Sequence, residues 1–277
     1  MGAKISVKRS RVEKQSSPKE FNFTPQMISS ASGDGRASDF LREYRSRAWE
    51  AFLRIPFPST SDEAWRRTDL RGLKTETLQL PKVDVNQGSF KIPRQLLKPN
   101  GVDKFYGQIL LSSTGHTQIK SSADLISKGV IFTDLKTAID EHADILEDII
   151  GKIIKPDEGK FTALVSALAT NGIFVYVPSF VEVEFPLRSI LWGPGKNLAQ
   201  LSHILIWLEK GASLTYFHEE ASPPEDNGQS MHAGIVEMYV GEGANLRFIE
   251  LQSWGKNIWN FVHERAQVGK NGTLDWI

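Results

Sequence analysis

The sequence predicts a mainly β protein, a parallel β-helix that follows a helical and mixed α/β region. Three segments of the second half superpose without gaps at spacings of 32 and 28 residues: Leu208–Phe217, Val240–Ile249 and Val268–Ile277. Each has an apolar residue before a turn, a leucine six positions later and an aromatic residue two positions after that leucine. Repeats of this length are typical of solenoids, in which each coil buries its apolar face against its neighbours. A β-sandwich is the structural alternative.

The turn inside the repeat supports the same alignment. Gly211 and Gly243 align with Asn271, and glycine and asparagine best tolerate a left-handed backbone. We therefore expect a positive φ at this position in every copy. A looser fourth copy at Val177–Val183 extends the series toward the N-terminus. The predicted inward ladder consists of Leu214, Leu246 and Leu274.

The composition is that of an ordinary globular protein and excludes several functions. The 277 residues carry 33 basic and 33 acidic side chains, and a net charge of zero argues against a dedicated nucleic-acid-binding protein. Because this chain has no cysteine, it has no disulfide, no thiolate nucleophile and no thiolate ligands for an iron–sulfur cluster. No apolar run approaches the roughly 20 residues that a transmembrane helix needs.

Composition divides the chain into three parts. Residues 1–36 are basic, rich in serine and poor in large apolar residues, which predicts a flexible tail. Residues 37–171 are predicted to form a helical and mixed α/β domain. Residues 172–277 are predicted to form the parallel β-helix, incomplete at its C-terminus. We expect a truncated form, because the repeat stops in mid-strand and an open solenoid end exposes unpaired backbone groups.

The middle part begins with an amphipathic helix. Ser38 is a suitable N-cap, and apolar residues follow every four positions from Phe40 to Phe52. The arginines expected on its solvated face are Arg42, Arg45 and Arg47. Later predicted elements are a helix start at 58–70, β-like runs at 105–111 and 130–133, and helices at 135–154 and 161–171. The last helix is expected to end at the pair Asn171–Gly172, which is typical of helix C-termini.

No catalytic, cofactor-binding or metal-ligating residue is assigned from the sequence. Phosphate-loop, HExxH and GxSxG signatures are absent. The histidines are His116, His142, His203, His218, His232 and His263. In the repeat alignment His218 falls on Glu250, a pair that suits either a metal ion or a charge pair. His232 is expected to be a core or backbone-bonding histidine.

Several motifs resemble the SufB/SufD family of iron–sulfur cluster assembly proteins. The stretch Ala163–Pro178 resembles the beginning of the family's core, and Asp62–Leu70 is more similar to SufD than to SufB. Further similar segments are Val181–Pro186, Glu209–Leu214, Met231–Ala233, Val236–Glu237, Leu251–Trp254, Trp259–Phe261 and Arg265–Ala266. The resemblance covers about residues 36–277. It implies an N-terminal helical region followed by a right-handed parallel β-helix.

The resemblance also implies a function. It implies a non-catalytic scaffold subunit of the SUF machinery, in the cytoplasm or alternatively in a plastid. The implied partners are a SufB-like subunit bound through the β-helix and, in the full-length protein, a SufC-like ATPase. A homodimer is a further possibility. Nucleic acid and membrane are not expected as partners. No cofactor is expected on this chain alone, because the complex would handle the iron–sulfur cluster.

A β-helix carbohydrate-active enzyme, either a polysaccharide lyase or a hydrolase, is the alternative function. Such enzymes stack sugars on exposed aromatic side chains and cleave them with clustered acids. Trp254 and Trp259 would supply the aromatic surface. The candidate acids are Glu182, Glu184, Glu237 and Glu250.

Overall fold

The computed structural model describes residues 21–32, 37–81, 92–97, 104–113, 115–223 and 228–277. The helices are α1 (Met27–Ala31), α2 (Asp39–Arg54), α3 (Arg94–Leu97), α4 (Ala123–Ser127), α5 (Leu135–Glu141), α6 (Ala143–Ile149) and α7 (Lys160–Leu168). The strands are β1 (Gly107–Ser112), β2 (Thr117–Ser121), β3 (Ile131–Asp134), β4 (Asn171–Val177), β5 (Leu187–Trp192), β6 (Ala199–Leu208), β7 (Ser213–Ala221), β8 (Ser230–Val240), β9 (Asn245–Ser253), β10 (Ile258–Val268) and β11 (Thr273–Trp276).

The strands form two sheets along a parallel β-solenoid, as predicted. One sheet has the order β11-β9-β7-β5-β1-β2 and the other the order β10-β8-β6-β4-β3. From β4 onward, successive strands alternate between the sheets and pair in parallel with the equivalent strand of the next coil. This arrangement differs from a β-sandwich, whose sheets are antiparallel. The only antiparallel pairs of the described strands are β1–β2 and β3–β4, which extend the two sheets from the preceding region.

The repeat copies stack in the register that the sequence predicted. Leu246 pairs with Leu214 on one side and with Leu274 on the other. All three leucines contribute to one apolar cluster inside the solenoid. The aromatic column beside them consists of Tyr216, Phe248 and Trp276. Parallel in-register stacking therefore gives equivalent residues the same surroundings in successive coils.

The turn residues adopt the predicted left-handed backbone. The angle φ is 68° at Gly211, 66° at Gly243 and 56° at Asn271. Phe180 occupies the same position in the looser copy and has a φ of 61°. Backbone hydrogen bonds join these turns from coil to coil, since the Gly211 amide donates to the carbonyl of Glu242 at 2.9 Å.

Helix α7 joins the helical region to the solenoid. Its residues from Phe161 to Leu168 are all buried, between α2 on one side and β6 and β8 on the other. The predicted cap of α2 is confirmed, because the Leu41 amide donates to Ser38 Oγ at 3.2 Å. Phe21 and Phe23 join this shared core. Of the tail predicted at 1–36, the described part (21–32) thus packs into the fold.

Arg45 corrects the prediction of a solvated face on α2. Its side chain is buried, and the guanidinium donates to the carbonyls of Ala167 and Ala169 at 3.0 and 2.8 Å. The last carbonyls of a helix have no partner within that helix, so Arg45 satisfies the end of α7. Burial lowers the pKa of Arg45 to about 10, which leaves it charged at neutral pH.

The helix predictions were wrong at three places. Residues 58–70 contain a 3₁₀ turn instead of an α-helix. The helix predicted over 135–154 breaks at His142, whose φ of −133° is not helical. Asn171–Gly172 begin β4 instead of closing α7. Gly172 is required there because a Cβ would lie 2.0 Å from the carbonyl oxygen of His203 on the neighbouring strand.

Candidate functional site in the solenoid interior

The solenoid interior is apolar at one end of its strands and polar at the other. Because side chains alternate along a strand, every second residue of β7 faces inward: Leu214, Tyr216, His218 and Glu220. Neighbouring strands show the same change in polarity. We call the polar part the lumen cluster, and its members are Ser189, Gln200, Ser202, His218, Glu220, His232, Glu250, Asn260 and Glu264.

A chain of hydrogen bonds crosses the lumen cluster from Tyr216 to Glu220. Tyr216 Oη donates to Ser189 Oγ at 2.6 Å, and burial raises the pKa of Tyr216, which keeps this proton in place. Ser189 Oγ lies 2.7 Å from His218 Nδ1, and His218 Nε2 lies 3.3 Å from Glu220 Oε1. A carboxylate oxygen only accepts hydrogen bonds, so the proton between His218 and Glu220 lies on Nε2. His218 therefore donates to Glu220.

His232 forms the second branch of the lumen cluster. Its Nδ1 lies 2.7 Å from Asn260 Oδ1 and its Nε2 lies 2.8 Å from Ser202 Oγ. The same Nε2 is 3.9 Å from Glu220 Oε1, and the ring centroid is 5.0 Å from that of Trp254. Since the Asn260 oxygen only accepts, Nδ1 donates to it, and Nε2 shares a hydrogen bond with the Ser202 hydroxyl. The ring is fully buried, as expected for a core histidine.

Glu220 is the charged centre of the lumen cluster. Burial alone would raise its pKa, but the charge of His232 and the hydrogen bond from His218 outweigh burial and hold the pKa below its usual value. Glu220 is therefore ionised. Among the described residues, nothing hydrogen-bonds to Glu220 Oε2 or to the buried side-chain amide of Gln200. Buried polar groups with spare hydrogen-bonding capacity are the usual partners of internal water.

Glu250 and Glu264 form a carboxyl pair at the polar end of the lumen. Burial, the negative charge of Glu250 and their mutual hydrogen bond raise the pKa of Glu264 to about 8. Two carboxylates in contact do not both ionise easily, so the pair retains one proton at neutral pH. The repeat alignment drew attention to Glu250. Sequence reasoning missed Glu264, because it lies on the facing sheet.

His203 and Glu237 lie on the outer face of β6 and β8, under the helical region. His203 Nε2 is 2.8 Å from Glu237 Oε1. The same carboxylate accepts hydrogen bonds from the amides of Gly151, Ile153 and Ile154 at 2.9, 2.8 and 2.9 Å. Glu237 thus binds the segment after α6 to the solenoid, and no sequence pattern predicted this role.

The structure separates the histidines that the sequence singled out. His218 does pair in register with Glu250, but its ring bonds to Ser189 and Glu220 instead. His142 lies between α5 and α6, and His263 lies on β10. Among the residues that the structure describes, no group of three histidine or carboxylate side chains is arranged to hold a metal ion. The assignment of no metal ligand stays a prediction.

The acids proposed for a carbohydrate enzyme do not meet at one place. Glu237 is occupied by backbone amides on the outer face, whereas Glu250 faces the lumen beside Glu264. Glu184 accepts a hydrogen bond from Tyr106 Oη at 3.2 Å, on the loop between β4 and β5. The structure therefore gives no support to a cleavage site built from these four residues.

The fold and this interior define a class of protein: a β-solenoid with a buried polar lumen, joined to an N-terminal helical region. Two family models match the chain. One, described as "SufBD protein N-terminal region", matches residues 30–189, and the other, "SUF system FeS cluster assembly, SufBD core domain", matches residues 191–277. The chain therefore belongs to the SufBD family.

Curated relatives agree with the family models. An iron–sulfur cluster assembly protein SufB of Bacillus subtilis is 26% identical over 269 residues, which cover 93% of this chain and 56% of that protein. SufBD family proteins of Staphylococcus saprophyticus and Staphylococcus haemolyticus are 23% and 24% identical, with the same coverage of 93% and 56%. The chain thus spans about half the length of these relatives. The greater similarity to SufD than to SufB stays a prediction.

None of the helices described here is both long and apolar enough to cross a lipid bilayer.

Proposed function

We propose that this chain is a scaffold subunit of SUF iron–sulfur cluster assembly and acts through partners, without catalysing a reaction alone. The observation that carries the proposal is a match to the assembly family over both halves of a chain that has no cysteine. Clusters are usually held by cysteine thiolates, so those ligands would come from another subunit. The proposed compartment is the cytoplasm, with the plastid as the alternative.

The proposed partners are a SufB-like subunit and a SufC-like ATPase. The SufB-like subunit would bind through the β-solenoid, whose rigid hydrogen-bonded coils suit a docking surface. The ATPase contact is proposed for a protein of the length of the curated relatives; this chain covers 56% of its SufB relative. A homodimer is the competing assembly.

The lumen cluster is consistent with a structural role inside the solenoid and does not resemble an active site. Ser189, His218 and Glu220 are the residue types of a hydrolase triad, yet all three are buried. In that triad the serine bonds to Nε2 and the acid to Nδ1, whereas here the two nitrogens are exchanged. Ser189 is fully buried, so its Oγ is not exposed to a substrate in this arrangement.

Co-purification tests the proposal. The chain would be co-expressed with a tagged SufB-like protein and a SufC-like ATPase, and the mass of the purified assembly would be measured by native mass spectrometry. We expect a complex that contains this chain and the SufB-like protein. The chain alone, incubated anaerobically with ferrous iron and sulfide, should lose its cluster absorbance on desalting, while the complex should keep it.

Two outcomes would contradict the scaffold proposal. One is an iron–sulfur cluster that stays on this chain alone after desalting. The other is turnover of an acidic polysaccharide by the purified chain, which would favour the carbohydrate enzyme. The SufB-like protein purified without this chain is the control for both measurements.

A further inference from the structure

A cleft of about 460 Å³ opens between α2 and the segment that follows α6. One wall is a single face of α2, because its lining residues recur three or four positions apart. These residues are Phe40, Tyr44, Arg47, Ala51 and Arg54. The opposite wall is formed by residues 150–152 and 155–157. Neither the repeat nor the lumen cluster takes part in this cleft.

The second wall is held in place from behind. The carboxylate of Glu237 binds the amides of Gly151, Ile153 and Ile154, as described above. The Lys155 ammonium also donates to the Gly151 carbonyl at 2.9 Å. Gly151 has a φ of 68°, and a Cβ there would lie 2.6 Å from the Tyr44 ring. The wall is therefore a close-packed, hydrogen-bonded segment whose shape is set before any ligand arrives.

The charged lining residues are all exposed, and we call them the rim of the cleft, where positive charge is in excess. The cations are Arg47, Arg54, Lys152 and Lys155, and the acids are Glu50 and Asp157. Arg47 forms an ion pair with the exposed Glu43 at 3.8 Å. Within the described part of the chain, Arg54 and Lys152 form neither an ion pair nor a side-chain hydrogen bond. Two cations at the mouth of the cleft are thus available to an anion.

The cleft also has apolar lining residues that are buried or half-buried, and we call them its floor. They are Phe40, Ala51, Ile150 and Pro156. Small-molecule sites typically measure about 300–1,000 Å³ and combine an apolar lining with a few polar groups that fix the orientation of the ligand. The volume and lining of this cleft fit that description, whereas an acidic protein segment would need a longer open groove.

We propose that this cleft binds a small organic phosphate. Its phosphate group would lie against Arg54 and Lys152, since guanidinium and ammonium groups form charge-assisted hydrogen bonds with phosphate oxygens. Its organic part would lie on Phe40 and Ile150. The site is separate from the lumen cluster and from the proposed scaffold role.

Isothermal titration calorimetry with ADP and inorganic pyrophosphate tests the proposal. We expect ADP to bind the unmodified chain more tightly than pyrophosphate does, because only ADP has a part that contacts the floor. The variant Arg54→Gln/Lys152→Gln should bind both probes at least about tenfold more weakly. A matched control, Arg67→Gln/Lys136→Gln, removes the same charges at exposed positions away from the cleft and should bind as the unmodified chain does.

Three outcomes would overturn the proposal. They are no measurable binding of either probe, equal weakening in the two double variants, or binding of an acidic peptide at Arg54 and Lys152 where ADP does not bind. The single variants Arg54→Gln and Lys152→Gln, checked by circular dichroism, separate a lost contact from a lost fold. The measurement needs no SUF partner, so its failure would leave the scaffold proposal unaffected.

Discussion

Nε2 of His203 and Oε1 of Glu237 are 2.8 Å apart, and both side chains are almost fully buried. Burial alone would raise the pKa of Glu237, but the hydrogen bond and charge of His203 and the amides of Ile154 and Gly151 lower it below its usual value. Glu237 is therefore an ionised buried group with four hydrogen bonds. It is a polar connection between the solenoid and the helical region, and Arg265 of β10 makes another through the Ile153 carbonyl and the Glu158 carboxylate.

Removing the Glu237 carboxylate should destabilise the protein strongly. We expect Glu237→Ala to lower the free energy of unfolding by about 3–5 kcal/mol, because three backbone amides and His203 would be left buried without their acceptor. Urea unfolding followed by circular dichroism measures the change. Glu242→Ala is the control, since Glu242 forms an exposed ion pair with Lys210 and should cost less than about 1 kcal/mol. Equal losses in both variants would contradict the anchoring role.

Stability should depend on pH through Glu264. Burial and the charge of Glu250 raise its pKa to about 8, so the folded protein holds this proton more tightly than the unfolded chain does. The resulting stabilisation is complete below the ordinary carboxyl pKa and is lost as the pH rises through about 8. Relative to the unmodified chain, Glu264→Gln should therefore show a smaller loss of stability between about pH 5 and pH 8.

Thermal unfolding at a series of pH values measures this effect. Glu141→Gln, which changes an exposed carboxylate on α5, is the matched control and should follow the pH dependence of the unmodified chain. Parallel curves for Glu264→Gln and the unmodified chain would show that the carboxyl pair does not hold the extra proton.

The left-handed turn at Gly243 predicts different costs for two substitutions. No atom lies within 4 Å of a Cβ built on Gly243, so a side chain there meets backbone strain and no steric clash. We expect Gly243→Val to lower the free energy of unfolding by about 1–3 kcal/mol, and Gly243→Asn to cost clearly less. Asn271 already adopts this conformation in the next coil, with a φ of 56°. Equal destabilisation by the two variants would contradict the role of the backbone angle.

The leucine ladder predicts a large effect at Leu246. Leu246→Ala should cost about 2–5 kcal/mol, because Leu246 is buried between Leu214 and Leu274. Leu251→Ala removes the same atoms from a side chain that is 51% exposed on the same strand, and it should be nearly neutral. Chemical denaturation of the two variants makes the comparison. A similar cost at both positions would show that Leu246 does not face the core.

The sequence was informative where one coil repeats the surroundings of the next. Leu214, Leu246 and Leu274 lie one above another, so their alignment in sequence is also their contact in space. The positive φ at Gly211 and Asn271 follows from the same correspondence. In a parallel solenoid, therefore, aligning the repeats in sequence predicts which residues of neighbouring coils contact each other.

The same reasoning failed for contacts that cross between sheets or regions. Arg45 satisfies carbonyls that lie 122 and 124 positions further along the chain, and no local pattern predicts that pairing. Glu250 was singled out by its alignment with His218, but its carboxyl partner is Glu264 on the facing sheet. The repeat relates equivalent positions of neighbouring coils and does not say which side chains meet across the lumen.

The position of α7 has a consequence for synthesis of the protein. A ribosome delivers the N-terminal end first, so α2 and α7 emerge before β6 and β8, on which α7 packs. Val240 is the last residue of β8. Until it has left the exit tunnel, the apolar face of α7 that packs on β8 is exposed to solvent. The helical region therefore completes its folding only after these strands have been translated. A nascent chain that pauses earlier exposes the apolar face of α7 to chaperones.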